Sequence, residues 1–485
     1  MTALLFAILV PLVGAVLIVL TGRHPNVRET VSILTAILLF ASIASLAPAV
    51  FDGARPRLAL AEPLPGLALQ LTVEPLGMLF ALLASLLWIV TTIYSIGYMR
   101  ARQENHQTRF YACFALSLWA AVGMAFAGNL LSLFIFYELL TLSTYPLVTH
   151  AGTAAARRGG RVYLGVLLGT SIGFLLFAII WTWQLAGTLD FVDGGILKGT
   201  AAPALLGILL MLYVFGIGKA AIMPFHRWLP AAMVAPTPVS ALLHAVAVVK
   251  GGVFFVLKVV VYVFGIDTLP AIDARQWLLY IATATILLAA LVALRQDNLK
   301  ARLAYSTISQ LAYIVLGALL ANAAGILGAT MHIATHAFGK ITLFFCAGAI
   351  LVSTRRTRIS ELAGIGRSMP WTMGAFAIAA LAMIGMPPTA VFVSKWYILA
   401  GAVDAGQMLA VAVLLLSTLL TAGYLLPVVY TAFFETPGKP DNETHGEAPP
   451  AILLALGVTT LGTLVLFFFP DLLLAFANQL TGSGT

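Results

Sequence analysis

Charged residues are scarce in this chain. Only 9% of its 485 residues are Asp, Glu, Lys or Arg, whereas 61% are hydrophobic. A water-soluble domain usually carries about 25% charged residues, so the composition excludes a soluble protein of this length. Long apolar runs recur from end to end, each near the roughly 20 residues that a helix needs to cross a bilayer. The sequence therefore predicts an all-α polytopic membrane protein.

Cysteine is also nearly absent. Cys113 and Cys346 lie far apart within apolar runs, which favours small buried hydrophobes over a disulfide or a metal site. The sequence contains no P-loop, dinucleotide fingerprint, iron–sulfur cysteine set or haem motif. We therefore expect no cofactor and no redox chemistry in this chain. The net charge of +8 does not indicate a nucleic-acid partner, because in a membrane protein the distribution of basic residues matters more than their sum.

The apolar runs predict about fourteen membrane-spanning helices. They begin near residues 3, 31, 75, 110, 129, 161, 203, 239, 277, 303, 323, 370, 407 and 451. With loops on alternate sides, seventeen Lys and Arg residues fall on one face and only four, Arg55, Arg57, Lys198 and Arg275, on the other. Cytoplasmic loops are rich in Lys and Arg, so both termini are expected on the non-cytoplasmic side of the inner (plasma) membrane.

Prolines interrupt two of the predicted helices. Pro224 lies within residues 216–230, and Pro387 and Pro388 lie within residues 381–399. Each proline removes an amide donor, and the carbonyl left free must face protein or water. Paired broken helices in two halves of a chain are typical of inverted-repeat transporters, whose binding sites lie at such breaks. Ordinary proline kinks are the alternative, because the two segments do not align residue for residue.

Carboxylates are rarer still inside the apolar runs. Only Glu138 is expected there, against five lysines: Lys219, Lys250, Lys258, Lys340 and Lys395. An ionised side chain in hydrocarbon costs about 3 kcal/mol or more, so such residues face protein or water and mark charge pathways. This pattern predicts a protein that moves protons or small cations.

Glu138 needs a cationic partner from another helix. An ion pair with Lys219 or Lys250 is the simplest hypothesis, and a neutral glutamic acid held by hydrogen bonds is the alternative. Lys219 follows Gly216 and Gly218, small residues that let another helix approach closely. Buried lysines can both take up and release a proton, which is what a relay requires.

His244 and Lys250 share the eighth predicted helix. Six residues separate them, which places them about 120° apart, so Lys250 is expected to contact a different neighbour from His244. Lys258 lies near the end of this helix, and we expect its ammonium to reach the lipid headgroups. Lys395 follows the second proline break and is interpreted as a last relay group, with headgroup contact as the alternative.

His332, His336 and Lys340 are spaced at i, i+4 and i+8. Each step turns only about 40° on a helix, so the three form one stripe about 12 Å long. Histidine titrates near neutral pH and has two ring nitrogens, so the stripe is a plausible proton wire. Two histidines four apart can also bind zinc, but no carboxylate nearby offers a third ligand, and we expect no metal.

Several stretches together resemble the antiporter-like, proton-conducting membrane subunits shared by Mrp-type monovalent cation/proton antiporters, respiratory complex I and membrane-bound hydrogenases. The resemblance runs from about Val73 to Phe434. Its specific parts are Phe136-Tyr137-Glu138-Leu139-Leu140, Pro224 to Pro230 (PFHRWLP), Ala235 to His244 (APTPVSALLH), His332 to Lys340, and Gly385-Met386-Pro387-Pro388.

The resemblance implies a fold of fourteen helices with two five-helix inverted repeats and broken seventh and twelfth helices. The implied parts are residues 1–109 with helices 1–3, 110–265 with helices 4–8, 266–435 with helices 9–13, and 436–485 with a loop and helix 14. It also implies residue roles. Glu138 and Lys219 look like the family's glutamate–lysine pair, Lys250 like the connecting group, His336 and Lys340 like the central relay, and Lys395 like the terminal lysine; His244 and His332 are secondary candidates.

Two subfamilies are compatible with this resemblance. We expect no long lateral helix of the kind found in the largest members, which favours the D-type Mrp subunit or a medium-sized complex I subunit over the A-type. Complex I subunits of medium size often carry a glutamate where this chain has Lys395, which favours Mrp. The segment from His244 to Lys250 is more like the larger members. The leading hypothesis is one component of an Mrp-like antiporter, built from several subunits, that exchanges protons for sodium or another monovalent cation.

Three other hypotheses remain. The chain could be a proton-pumping module of a redox complex such as complex I or a membrane-bound hydrogenase. It could be a structural scaffold that conducts nothing, or a transporter that works alone. Because the family works in assemblies, the expected partners are other membrane subunits, protons, a monovalent cation and the lipid bilayer.

Overall fold

The chain folds almost entirely into helices, because a helix satisfies its own backbone polar groups where no water is present. The computed structural model describes residues 2–64, 66–436 and 446–481. Its first helices are α1 (Thr2–Leu20), α2 (Pro25–Ala44), α3 (Ala47–Phe51), α4 (Pro75–Ala101), α5 (Gln107–Ala125), α6 (Leu130–Val148), α7 (Ala154–Thr170) and α8 (Leu176–Ala186). A π-helical turn, Ser171–Leu175, joins α7 to α8. The sixth predicted helix therefore begins at Ala154, earlier than expected.

The middle of the chain contains the first interrupted helix. Here α9 (Pro203–Gly216) ends before a loop and a single turn, α10 (Trp228–Ala231). The next segment runs from residue 239 to 264, with π-helical stretches Val239–Ala247 and Val259–Phe264 on either side of α11 (Val248–Lys258).

The remaining helices follow in the predicted order. They are α12 (Ala274–Leu294), α13 (Leu299–Leu319), α14 (Ala323–Thr354), α15 (Ile365–Ser368), α16 (Pro370–Ile384), α17 (Ala390–Asp404), α18 (Met408–Phe434), α19 (Pro450–Phe468) and α20 (Asp471–Thr481). The last predicted helix is thus two helices, α19 and α20.

The helical runs confirm a polytopic membrane fold. Among the described residues, eleven helical runs are long and apolar enough to cross a membrane, and α9 and α16 are shorter apolar helices. The count of fourteen stays a prediction, as do the division into inverted repeats and the side on which the termini lie. Residues 437–445, in the predicted final region 436–485, lie outside the described residues.

Both predicted breaks are present. The first falls between α9 and α10, where Pro224 lies, and the second between α16 and α17, where Pro387 and Pro388 lie. Proline cannot donate a backbone hydrogen bond, so the regular helix ends before each of them. The breaks place Lys219 and Lys395 beside irregular backbone.

A β-hairpin that the sequence pattern did not indicate lies between α3 and α4. Strand β1 (Arg57–Leu64) pairs antiparallel with β2 (Leu67–Thr72), and Leu71 also forms a bridge to Ala127 in the turn between α5 and α6. We call the end of the molecule that carries this hairpin the hairpin face.

Two segments form the centre of the packing. The most apolar part of the 239–264 segment is wholly buried, and that of α14 is 83% buried. The 239–264 segment carries three of the singled-out basic residues and α14 carries the His-His-Lys stripe. Those side chains therefore face protein, which avoids the cost of charge in lipid.

The expectation that Glu138 is the only carboxylate inside an apolar helix is wrong. Glu29 lies within α2, is 4% exposed and pairs with Arg28 at 3.7 Å and with Arg100. Glu74, at the N-terminal end of α4, is 8% exposed and lies 2.6 Å from Lys258. Glu29 was missed because α2 begins at Pro25, earlier than the predicted start near residue 31, whereas Glu74 is the N-cap residue just before α4.

Candidate functional site

The predicted relay residues lie in the interior of the chain. Six have no exposed surface: Lys219, His244, Lys250, His332, His336 and Lys340. Glu138 and Lys395 are half-buried. Each buried polar group needs a partner, so the partners define what the site can do.

Lys219 is held by α6. Its Nζ donates hydrogen bonds to the carbonyl of Tyr137 at 2.7 Å and to Oγ1 of Thr141 at 2.6 Å. The backbone amide of Lys219 donates to the Tyr137 hydroxyl at 3.1 Å. Because the helix is broken after α9, both the backbone amide and the ammonium group of Lys219 can form these contacts. The broken helix and α6 therefore form one site.

Glu138 does not form the predicted ion pair. Neither carboxylate oxygen of Glu138 accepts a hydrogen bond from the described residues, and no basic nitrogen among them lies within 4.0 Å. Lys219 instead uses the carbonyl and the hydroxyl on the same helix, although Glu138 still interacts with it electrostatically. The carboxylate is therefore free to accept a proton or a hydrogen bond.

Small residues allow the close approach around Lys219, as predicted. A Cβ added at Gly216 would lie 2.5 Å from the Leu175 amide nitrogen, and one at Gly218 would lie 2.3 Å from Thr170. On α11, a Cβ at Gly252 would lie 2.4 Å from the Lys219 carbonyl carbon. Glycine is needed at these positions to bring the helices together.

His244 lies between two aromatic rings. Its ring centroid is 6.0 Å from that of Tyr163 and 6.3 Å from that of Trp228. Neither ring nitrogen of His244 has a hydrogen-bond partner among the described residues. His244 belongs to the first π-helical stretch, a geometry that is frequent at functional sites.

Lys250 connects the 239–264 segment to α14. Its Nζ lies 2.5 Å from Nδ1 of His336 on α14 and donates to the carbonyl of Ala245 at 2.9 Å. As predicted from helix geometry, Lys250 and His244 contact different neighbours. The contact joins two segments that lie 86 residues apart in the sequence.

The histidine stripe on α14 forms as predicted. The rings of His332 and His336 stack with centroids 5.5 Å apart and planes 3° apart. Both nitrogens of His332 have partners, Nδ1 with Oγ of Ser394 at 2.8 Å and Nε2 with Oε1 of Gln310 at 3.1 Å.

Lys340 continues into a chain of hydroxyl groups. Its Nζ donates to Oγ of Ser306 at 2.7 Å, and the same oxygen lies 2.9 Å from the hydroxyl of Tyr424. The Tyr424 hydroxyl donates to Oγ1 of Thr421 at 3.2 Å. A hydroxyl group can both donate and accept a hydrogen bond, so this hydrogen-bonded series can transfer a proton from one hydroxyl to the next.

Lys395 lies at the second break. Its Nζ donates to the carbonyls of Met383 and Ile384, at 2.9 and 3.1 Å, and lies 5.2 Å from the ring centroid of Tyr313. These carbonyls form the C-terminal end of α16, where the helix dipole favours a cation. The break thus creates a binding position for the ammonium group.

Sequence reasoning missed several partners of these residues. Missed groups are Thr141, Gln310, Ser306, Ser394 and Tyr424, which supply the hydroxyls and the amide of the site. A weak signal exists, because polar side chains cluster on α13. Their partners on other helices cannot be read from one sequence.

The expectation that the Lys258 ammonium reaches the lipid headgroups is wrong. It has no exposed surface, and its Nζ contacts Glu74 at 2.6 Å and donates to the carbonyl of Ala127 at 3.0 Å. A buried lysine–glutamate ion pair therefore exists, but it joins Lys258 to Glu74 and does not involve Glu138.

The arrangement brings titratable side chains together within the apolar interior. We call the residues Glu138, Lys219, His244, Lys250, His332, His336, Lys340 and Lys395 the polar track. Direct contacts join Lys250 to His336, His336 to His332, and Lys340 to Ser306. Such a row can transfer protons by short rotations and by water between members.

Two broken helices beside buried lysines and histidines in a polytopic helical protein agree with the resemblance to antiporter-like membrane subunits. Residues 127–421 match the model of the family described as NADH:quinone oxidoreductase/Mrp antiporter, TM. The chain belongs to this family.

The relatives include subunits of quinone oxidoreductases and a subunit of a probable cation/proton antiporter. The chain is 33% identical over 420 residues to NADH-quinone oxidoreductase subunit N of Desulforudis audaxviator, with 82% of each protein covered. It is 30% identical over 412 residues to a component of a probable K(+)/H(+) antiporter of Rhizobium meliloti, covering 82% of this chain and 40% of that protein. Several other curated relatives are longer, and the chain spans 45–63% of their length.

The fold also matches a solved structure. A chain in the structure of the Mrp complex from Dietzia sp. DQ12-45-1b superposes with a TM-score of 0.88 at 22% sequence identity. The match covers 99% of this chain and 96% of that one. The antiporter-like fold predicted from the sequence is confirmed.

Proposed function

We propose that this chain is a proton-translocating subunit of a multi-subunit Mrp-like antiporter that exchanges protons for sodium or another monovalent cation. Protons move along the polar track, with Glu138, Lys219, Lys250, His336, Lys340 and Lys395 as the relay and His244 and His332 as secondary groups. The energy comes from the proton gradient, and no cofactor takes part in the chain's own chemistry.

The contact between Lys250 and His336 carries this proposal. At 2.5 Å the two nitrogens are within hydrogen-bond distance, and both are fully buried. A charged ammonium so placed requires a strong acceptor, and Nδ1 of His336 supplies one. Two basic groups in the apolar interior cost folding free energy, so a purely structural role does not explain their presence.

The transfer itself is chemically simple. The ammonium of Lys250 gives its proton to Nδ1 of His336, so an N–H bond breaks at Nζ and another forms on the imidazole ring. The resulting imidazolium carries a second proton on Nε2, which passes through water to the neutral amine form of Lys340, so an N–H bond breaks on the ring and another forms at that Nζ. Lys250, now a neutral amine, takes its next proton from the half of the track that holds Lys219 and His244.

The residue at the second break supports the Mrp assignment, whereas the fold match to a chain of the Dietzia Mrp complex shows the fold alone. The second break carries Lys395, with its ammonium seated on the end of α16, where medium-sized complex I subunits often carry a glutamate.

A proton-pumping module of a complex I-type assembly is the second candidate. Its support is the similarity to the Desulforudis protein over 82% of both chains, which indicates comparable length as well as sequence. In that case quinone chemistry in other subunits would drive the same track. Proteins that co-purify separate the two, since small Mrp-type subunits favour the first and quinone and iron–sulfur subunits favour the second.

Lys219→Ala tests the proposal. The chain is expressed with its partner subunits in a host that lacks sodium/proton antiporters, and everted vesicles are assayed for collapse of a pH gradient after sodium or potassium is added. We expect Lys219→Ala to lose most transport while the complex still assembles. Lys198→Ala, at an exposed lysine, is the matched control. Full transport by the assembled Lys219→Ala complex would contradict the relay and favour a scaffold.

A further inference from the structure

The buried ion pair between Glu74 and Lys258 has no role in the proposed relay. Four separate segments build it: the start of α4, the turn between α5 and α6, the loop after α8 and the end of α11. The Lys258 ammonium contacts the Glu74 carboxylate at 2.6 Å and the Ala127 carbonyl at 3.0 Å. The Phe191 ring centroid lies 4.1 Å from the same nitrogen.

Backbone pairing fixes this site in place. The bridge between Leu71 and Ala127 ties the hairpin to the turn that supplies the carbonyl. Gly128 donates its amide to the carbonyl of Gln70 at 3.0 Å and accepts from the amide of Phe191 at 3.3 Å. The hairpin thus positions the acceptors around Lys258.

The two members of the pair differ in access to water. Lys258 has no exposed surface, whereas 10% of the Glu74 side chain is exposed at the hairpin face. Glu74 is the N-cap residue of α4, yet its side chain forms no capping hydrogen bond. The carboxylate is therefore turned toward Lys258 and lies between a buried cation and the surface.

Lys258 also shares a helix with the relay. It lies eight residues after Lys250 on α11, about 12 Å along the helix axis. Phe254 lies between them and stacks on Phe80 of α4 with centroids 5.0 Å apart. Among the described residues no hydrogen bond joins Lys250 to Lys258, and Phe254, four residues from each, lies between them on the same helix face.

We propose that Glu74 and Lys258 form the proton-transfer station between the polar track and the hairpin face, with Phe254 as the dry barrier before it. The Lys258 ammonium gives a proton to Oε2 of Glu74, so an N–H bond breaks and an O–H bond forms. Glu74 then releases the proton to water at the surface, and the neutral Lys258 amine is reprotonated from the Lys250 side through water admitted past Phe254. This inference rests on the proposed function.

Two variants separate a transfer role from a structural one. Lys258→Arg keeps the charge and the ion pair but cannot release its proton, because arginine stays protonated in proteins. The double variant Lys258→Met/Glu74→Met removes both charges and keeps similar volume, a change that is often harmless to stability when an ion pair is only structural.

We expect both variants to assemble and to lower transport in everted vesicles by about tenfold or more, as for loss of a proton-transfer group. Glu74→Asp, which retains a carboxylate, should keep more transport than Glu74→Gln, and the exposed Lys198→Met is the control. Normal transport by either Lys258→Arg or the double variant would overturn the inference. Failure of both to assemble would make the pair structural and overturn it too.

Lys219→Ala is assayed in the same vesicles to keep the two claims apart. If Lys219→Ala abolishes transport while Lys258→Arg does not, the proposed function stands and only this inference fails. If Lys219→Ala transports normally, the relay itself fails.

Discussion

Nζ of Lys250 lies 2.5 Å from Nδ1 of His336, and both residues are fully buried. Lys250 lies on the 239–264 segment and His336 on α14, so this contact is where the polar track passes from one of these two central segments to the other. His244 shares the 239–264 segment with Lys250, and His332 and Lys340 share α14 with His336.

The hydroxyl of Thr141 should matter for transport. Thr141→Val keeps the shape of the side chain but removes the oxygen that accepts from Lys219 at 2.6 Å. A hydrogen bond to a charged group is worth about 1.5–3 kcal/mol, so transport through Lys219 should fall by about tenfold or more. Thr144→Val is the control, since Thr144 lies on the same helix and contacts Tyr163 rather than a relay residue. Equal transport by the two variants in everted vesicles would contradict this role.

The hydroxyls beyond Lys340 should form one functional unit. Ser306→Ala and Tyr424→Phe each break the chain of hydrogen bonds that begins at Lys340. We expect each variant to reduce transport, and the combined variant to be no worse than the poorer single one, because a chain needs only one break. Thr307→Val on the same helix should transport normally, since that hydroxyl bonds to its own helix at the Leu303 carbonyl. Losses that multiply would argue against a single chain.

Gly252 should tolerate no side chain. A Cβ there would lie 2.3 Å from the Ala220 amide nitrogen and 2.4 Å from the Lys219 carbonyl carbon, and backbone atoms cannot move aside easily. Gly252→Ala should therefore lower the melting temperature of the purified complex and displace Lys219, with loss of transport. Gly165→Ala is the control, because nothing lies within 4 Å of its Cβ position and alanine favours a helix. Equal melting temperatures and transport for the two variants would contradict the close packing.

Much of the fold could be predicted because a bilayer imposes simple rules. Long apolar runs become helices, and prolines end them, so the breaks near Pro224 and Pro387 were predicted correctly. The stripe from His332 to Lys340 was also correct, because residues four apart share a helix face. These features depend only on local sequence.

Features that depend on tertiary contacts were not predictable. The prediction of a direct ion pair for Glu138 was wrong because the Lys219 ammonium donates instead to Thr141 and to the Tyr137 carbonyl. The partner of Lys258 was missed because Glu74 lies at a helix end on a distant part of the chain. The hairpin and the π-helical stretches around α11 have no signal in apolar periodicity, since neighbouring segments stabilise them.

A double-mutant cycle on Lys250→Met and His336→Gln tests the central claim most directly. Transport is measured in everted vesicles for wild type, both single variants and the double variant, with assembly verified by co-purification. If the two residues act in one transfer step, each single variant loses most transport and the double variant loses no more. Near-normal transport by either single variant, or losses that multiply as for independent sites, would contradict a proton path through this contact.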